Sequence, residues 1–296
     1  MTDIVFKDNS KYPNLLKQIK SAPKQLYYRG EWDKDIFKNC LAVVGSRRLT
    51  SYGKRAIEQI IGEVALSGVT IVSGFMYGGD AIAHQATLKA GGRTIAVMPC
   101  GIERIHPEYQ KSLYQEILDN NGLIISEYAG DMQPTLWSYP QRNRIVAGLS
   151  KAILIAEAGL KSGSLITANY SKKFKRKVFA FPGPINSSVS KGTNLLIKEG
   201  AEMVLESGDI LDYYSSSRRS PVQRDEGGFV HKAKPASAKG YGVASKILQA
   251  LDREPLTADE LGRSLNISAS ELGIKLSLMQ IQGLIKEERG KYYGKE

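Results

Sequence analysis

The stretch Tyr139-Pro140-Gln141-Arg142-Asn143-Arg144-Ile145-Val146-Ala147-Gly148-Leu149-Ser150-Lys151-Ala152-Ile153-Leu154-Ile155-Ala156-Glu157, resumed at Lys161-Ser162-Gly163-Ser164-Leu165-Ile166-Thr167-Ala168, decides the fold. Residues 152–156 are short, apolar and partly β-branched, as a buried strand is, and a Gly/Ser turn separates them from an apolar-periodic helix. Ser162, Gly163 and Ser164 then fall at the free N–H groups of that helix, where the backbone dipole and small side chains favour a phosphate or carboxylate. Just upstream, Arg142 and Arg144 flank Asn143 and add two cations with planar donors. Separately, these are also the marks of a solvated helix face and a plain N-cap. Their position on either side of one buried strand is what suggests an anion site.

The same pattern extends in both directions. Residues 41–45 read as a buried strand and 52–67 as a helix, with Gly45-Ser46-Arg47-Arg48-Leu49-Thr50-Ser51 between them. That loop leaves the carboxyl end of a strand, where open α/β sheets place their ligands, and it offers a hydroxyl, two guanidiniums and a helix start. It is neither a Gly-x-Gly-x-x-Gly dinucleotide cradle nor a P-loop. Further strands at 69–72, 94–98 and 123–125 end in Ser73-Gly74, Pro99-Cys100-Gly101 and Ser126-Glu127, with helices near 80–90 and 108–120. Downstream come a strand at 178–181, a short helix opened by Lys191 and a last strand within 201–205. Strands alternating with helices predict a doubly wound, mostly parallel sheet covered on both faces. Lys172-Lys173-Phe174-Lys175-Arg176-Lys177 sets five bases around one aromatic, which fits either a solvated helix end or a surface that stacks bases and holds phosphates.

At 296 residues and 42% hydrophobic, the chain can bury an α/β core and still supply a small second domain. A formal charge of +11 points to a polyanionic partner, nucleic acid before an anionic membrane. Cys40 and Cys100 form no Cys-x-x-Cys pair, and His84, His106 and His231 are scattered, so no disulfide framework, metal site or cofactor is expected. Without a signal-like amino terminus or a membrane-length apolar run, the chain is expected to be soluble and cytoplasmic.

The composition changes over 215–240 to Ser, Pro, Gly, Ala and charge, which reads as a flexible basic linker. Beyond it, a helix at 243–251, two capping boxes at Thr257–Glu260 and Ser268–Glu271, and a hairpin from 284–286 and 291–293 predict a winged helix. The helix that would enter a major groove, about 270–282, carries only Lys275 as a base, so a protein-contact or regulatory module is expected rather than a sequence reader.

Taken in order, the motifs resemble those of the DNA-processing protein A family, also called DprA or Smf. They run from Tyr12-Pro13, Leu26-Tyr27 and Gly30 through Val44-Gly45-Ser46-Arg47 with Tyr52-Gly53, to Ser73-Gly74 with Gly78, Asp80, Ala83 and His84. Ser126-Glu127, Pro140 with Arg142-Asn143-Arg144-Ile145, and Lys161-Ser162-Gly163-Ser164-Leu165-Ile166-Thr167-Ala168 follow, then Pro182-Gly183 and Gly192-Thr193-Asn194. The resemblance implies an extended Rossmann-like domain that binds single-stranded DNA without sequence preference, dimerises, and hands the strand to the RecA recombinase in natural transformation. The chain is accordingly expected to divide into a lead-in at 1–40 with a small helix and an edge strand, a Rossmann-like domain at 41–212, a linker at 213–240 and a winged-helix-like domain at 241–296. The residues expected to hold phosphates and bases are Gly45, Ser46, Arg47, Arg48, Ser73, Gly74, Arg142, Asn143, Arg144, Lys161, Ser162, Gly163, Ser164, Thr167 and Lys191, with Phe174 as a stacking platform beside Lys175.

A competing reading is an enzyme acting on a nucleotide or its N-glycosidic bond. Glu157, Glu127 and Asp80 each lie near a strand end, where a carboxylate can assist a leaving group. Each also fits an N-cap or a salt-bridge partner of Arg142 or Arg144, and no motif supplies a nucleophile.

Overall fold

The computed structural model describes residues 3–216 and, between 247 and 294, all but a few short gaps. The chain divides into two compact units, Met1–Val222 and Gln223–Glu296. Most of the linker predicted at 213–240, and parts of the helices predicted at 243–251 and 270–282, lie outside the described residues.

The first unit opens with β1 (Asp3–Phe6), α1 (Asn14–Lys17) and β2 (Gln25–Gly30), followed by β3 (Cys40–Val44) and α2 (Ser51–Leu66). Then come β4 (Thr70–Ser73), α3 (Gly79–Lys89), β5 (Thr94–Gly101), α4 (Lys111–Asp119), β6 (Leu123–Tyr128) and α5 (Ser138–Leu149). It closes with β7 (Ala152–Ile155), α6 (Gly163–Lys173), β8 (Lys177–Ala180), α7 (Lys191–Lys198), β9 (Glu202–Met203) and α8 (Ser207–Ser216). The strands form one nine-stranded sheet in the order β1-β2-β6-β5-β4-β3-β7-β8-β9. From β6 to β9 every neighbouring pair is parallel, while β1 and β2 are antiparallel additions at one edge.

Every residue of β3 is buried, as a central parallel strand covered on both faces requires. Cys40, Ala42 and Val44 point into one core layer with Leu16, Ile145, Leu149 and Ala168, and Leu41 and Val43 point into the other with Ile57, Ile61, Ala83 and Ile210. The order also fixes where a ligand belongs. From β3 the chain winds outward through β4, β5 and β6, then returns to β7 on the other side of β3 and winds the opposite way. The β3 and β7 crossovers therefore diverge, leaving a crevice at the carboxyl ends of these two strands.

Two expectations are corrected. Before residue 40 the sequence suggests a small helix and an edge strand; these are α1 and β2, but β2 lies one strand in from the edge because β1 pairs outside it. β1 escapes a sequence reading because only Val5 of its four residues is buried. β5 runs three residues past Met98, through a register shift at Pro99, where a residue without an N–H is accommodated. Gly101 then donates to Met132 O at 2.9 Å, and a side chain there would collide with the backbone of Gly130.

In the second unit, α9 (Ala258–Leu265) begins with a capping box. The Thr257 N–H donates to Glu260 Oε2 at 2.8 Å and the Glu260 N–H to Thr257 Oγ1 at 3.3 Å. β10 (Ile285–Glu288) and β11 (Lys291–Gly294) pair as the predicted antiparallel hairpin. Ile247, Leu251, Leu261, Leu272, Leu276, Met279 and Ile285 form this unit's own core.

Candidate nucleic-acid interface

The crevice at the strand switch is an open groove of about 770 Å³. One wall is the loop after β3, Gly45 to Arg48, and the other is the loop after β7 with the first turn of α6, Lys161 to Thr167. Arg142 and Asn143 on α5 and Lys191 at the start of α7 complete the outline. Twelve of the seventeen predicted residues meet here: Gly45, Ser46, Arg47, Arg48, Arg142, Asn143, Lys161, Ser162, Gly163, Ser164, Thr167 and Lys191.

Two glycines let the first wall sit low. A Cβ on Gly79 would lie 2.6 Å from Gly45 Cα, and Gly78, at φ +80°, leaves no room for a side chain against Ser46 O. The Ser46 hydroxyl is turned inward, accepting from the Arg48 N–H at 3.0 Å, so it shapes the loop while the two arginines stay exposed. On the other wall Ser162 caps α6, its Oγ accepting from the Ser164 N–H at 3.3 Å, and the first turn of this helix holds no acidic residue. The positive helix end is left to attract an anion from outside. Arg47, Arg48, Lys161 and Lys191 stand exposed around it.

The α5 arginines are not free cations, contrary to expectation. Arg142 is 3% exposed, and its guanidinium donates to the carbonyls of Gly74 and Val97 and to Asn143 Oδ1 at 3.0 Å. It thus ties the residue that follows β4 to the middle of β5. Burial pushes its pKa down to about 10, against the opposing pull of Asp80. Burial likewise raises the Asp80 carboxyl, with Arg142 working against it, and holds His84 down to about 3. Arg144 is 7% exposed and pairs with Glu127 Oε1 at 2.6 Å, outside the groove.

Four more predicted residues also lie outside the groove. Ser73 is fully buried, its hydroxyl donating to Val43 O at 2.6 Å, and Gly74 is the glycine against which Arg142 and Asp80 pack. Phe174 and Lys175 follow the carboxyl end of the eleven-residue α6, roughly 15 Å from its phosphate-facing start at 1.5 Å per residue. Phe174 stacks on Tyr170 at 5.8 Å and packs on the core, and two neighbouring lysines are paired, Lys172 with Glu199 and Lys177 with Glu202. The charge run lies at a helix end, away from the groove.

The groove also contains residues that the sequence reading missed: Tyr139 and Pro140 at the start of α5, and Leu136, which is 93% exposed. Their only sequence signal is an apolar cluster, Leu136-Trp137, directly ahead of a basic helix start. Arg47 lies between two rings, 5.3 Å from the Tyr139 centroid and 5.5 Å from that of Tyr77, and the Tyr139 hydroxyl is 2.8 Å from His106 Nε2.

The three candidate carboxylates are committed to structural contacts. Glu157 is buried and accepts from the Thr50 N–H at 2.8 Å and the Thr50 hydroxyl at 2.5 Å, so it closes the start of α2. Glu127 holds Arg144, and Asp80 accepts from the Met76 N–H at 3.4 Å.

Fold and groove together define a Rossmann-like sheet protein whose strand-switch crevice suits a polyanion, joined to a small helix-and-hairpin unit. The chain belongs to the DNA recombination-mediator protein A family, which matches residues 3–215, and residues 231–291 match the DprA winged helix domain. Protein Smf of Synechocystis is 34% identical over 312 residues, spanning 97% of this chain and 78% of that one. The X-ray structure of DNA processing protein A from Streptococcus pneumoniae superposes with a TM-score of 0.67 at 38% identity, over 71% of this chain and 73% of that one. DNA processing protein A from Helicobacter pylori, whose structure was solved for its single-stranded DNA binding mode, gives a TM-score of 0.65 at 33% identity, over 73% and 97%.

Proposed function

We propose that this protein is a non-enzymatic binder of single-stranded DNA, indifferent to base sequence, that lays the phosphate backbone along the strand-switch groove. The observation that carries this reading is the ring of exposed Arg47, Arg48, Lys161 and Lys191 around a helix start with no acid of its own. A flexible polyanion meets charge and amide donors there that do not distinguish bases. Arg142 adds positive potential from within the wall without reaching out. The single-stranded DNA binding mode of the Helicobacter pylori relative supports the same assignment. Handing the strand to a RecA-type recombinase in natural transformation, acting as a homodimer and working in the cytoplasm are the tasks we assign with it. The basic linker and the winged-helix unit are assigned to partner contacts.

Oligothymidylate titration with Arg47→Ala/Arg48→Ala tests the groove. Each lost phosphate contact should remove about 0.7 from the slope of log K against log salt, so the double variant should flatten it by about 1.4 and bind at least roughly tenfold more weakly. Equal affinity and slope in the two proteins would exclude the groove. Both residues are exposed loop side chains, so the variant should keep its stability within about 0.5 kcal/mol.

A further inference from the structure

Arg47 is a shared wall. Beyond it lies a second open cavity of about 470 Å³, between the start of α2, the first turns of α3 and the beginning of α4. That volume is within the range of small-ligand sites. Resting on the reading of the main groove as a single-strand site, we propose that the strand does not end there: it crosses Arg47 and seats a further base in this second cavity, against Tyr109 and Tyr77.

The cavity's chemistry suits a base better than a phosphate. The start of α2, which would otherwise attract an anion, is already closed by the Glu157 carboxylate through Thr50. Between the rim cations Arg47 and Lys54, the cavity wall presents Tyr109, 70% exposed, Tyr77, 42% exposed, the exposed amide of Gln85 and the apolar side chains of Ile82 and Leu113. Exposed tyrosine faces with a hydrogen-bonding amide nearby are what an unstacked base requires. The connection to the main groove is built as well. The Arg47 guanidinium sits between the Tyr139 ring, which lines the groove, and the Tyr77 ring, which lines the second cavity. Among the described residues it has no carboxylate partner, so it is available to a phosphate passing between the two. Lys54 at the rim, in a loose 3.9 Å pair with Glu58, can follow the backbone outward.

The test uses the full chain and oligothymidylates lengthened one nucleotide at a time, from about four to about sixteen. Strands too short to pass Arg47 should bind wild type and Tyr109→Ala alike. Once the strand is long enough, wild type should gain affinity in a step that Tyr109→Ala lacks, leaving the variant about 5- to 100-fold weaker, and Tyr109→Trp should restore the step. Tyr109 is largely exposed, so its removal leaves the core intact. If wild type binds but Tyr109→Ala matches it at every length, or weakens every length equally, the second seat is wrong and the groove reading stands. If wild type binds no strand of any length, the groove reading itself falls.

Discussion

Two pairs of arginines with nearly the same sequence signature have opposite fates in this molecule. Arg47 and Arg48 sit in a loop that leaves the carboxyl end of β3, and both reach solvent. Arg142 and Arg144 sit on α5, and both are buried. Among the described residues no carbonyl accepts from the side chains of the loop pair, which leaves their donors to an outside anion. The helix pair finds acceptors within the protein: the main-chain carbonyls of Gly74 and Val97 for Arg142 and a carboxylate for Arg144. An arginine's role is set by the acceptors its backbone position brings near, and residue type alone does not reveal them.

The largest expected effect follows from the buried side of this comparison. Arg142→Ala should cost about 3–5 kcal/mol in urea unfolding, because it strands two buried main-chain carbonyls and leaves Asp80 without its compensating cation. A loss below about 1 kcal/mol would mean that Arg142 is as dispensable to the fold as a rim residue, and the contrast would collapse.

Acid should separate the two sides next. His84 is buried beside Thr94, with Nδ1 2.7 Å from the Thr94 hydroxyl, and burial together with Arg142 pushes its pKa down from 6.5 to about 3. The folded state therefore prefers the neutral ring. This stabilisation is complete above pH 6.5 and is lost as the pH falls toward 3, at about 1.4 kcal/mol per pH unit. Asp80, raised by burial, works in the opposite sense, but it is common to wild type and His84→Asn, so the difference between their unfolding curves isolates the histidine. Over pH 6.5 to 4.5 the variant should lose about 2–3 kcal/mol less than wild type. Parallel curves would show that His84 is hydrated in the folded protein.

Much of this could be read from the sequence, for identifiable reasons. Parallel strands covered on both faces leave apolar runs that need no knowledge of direction, so β3, β4, β7 and β8 fall where periodicity puts them. A loop following such a strand lies at the ligand end of the sheet whichever way its side chains turn, so Gly45 to Arg48 and Lys161 to Ser164 could be located. The α5 arginines were misjudged even though the information was present. Arg142, Ile145, Val146 and Leu149 follow the i, i+3, i+4, i+7 spacing of one buried stripe, and all four are buried. Reading that stripe as a stripe, despite the charge at its head, places Arg142 in the core. Tyr139 and Leu136 had no comparable signal, because their exposure depends on how the segment between β6 and α5 lies over the groove.

The smallest expected effect tests whether cation density alone decides binding. Lys172 to Lys177 is the densest basic run in the sheet unit, yet it follows the helix end opposite the groove. There its lysines offset the negative end of the α6 dipole, and two of them are held by Glu199 and Glu202. Lys175→Ala and Phe174→Ala should therefore bind oligothymidylate within about twofold of wild type at physiological salt, where charges beyond about 8 Å are screened. Phe174→Ala should still cost about 1–2 kcal/mol of stability through lost packing on Tyr170 and the core. A tenfold loss of affinity in either variant, with the fold intact, would show that the strand wraps past α6 and that exposure, not position at the strand switch, selects the binding cations.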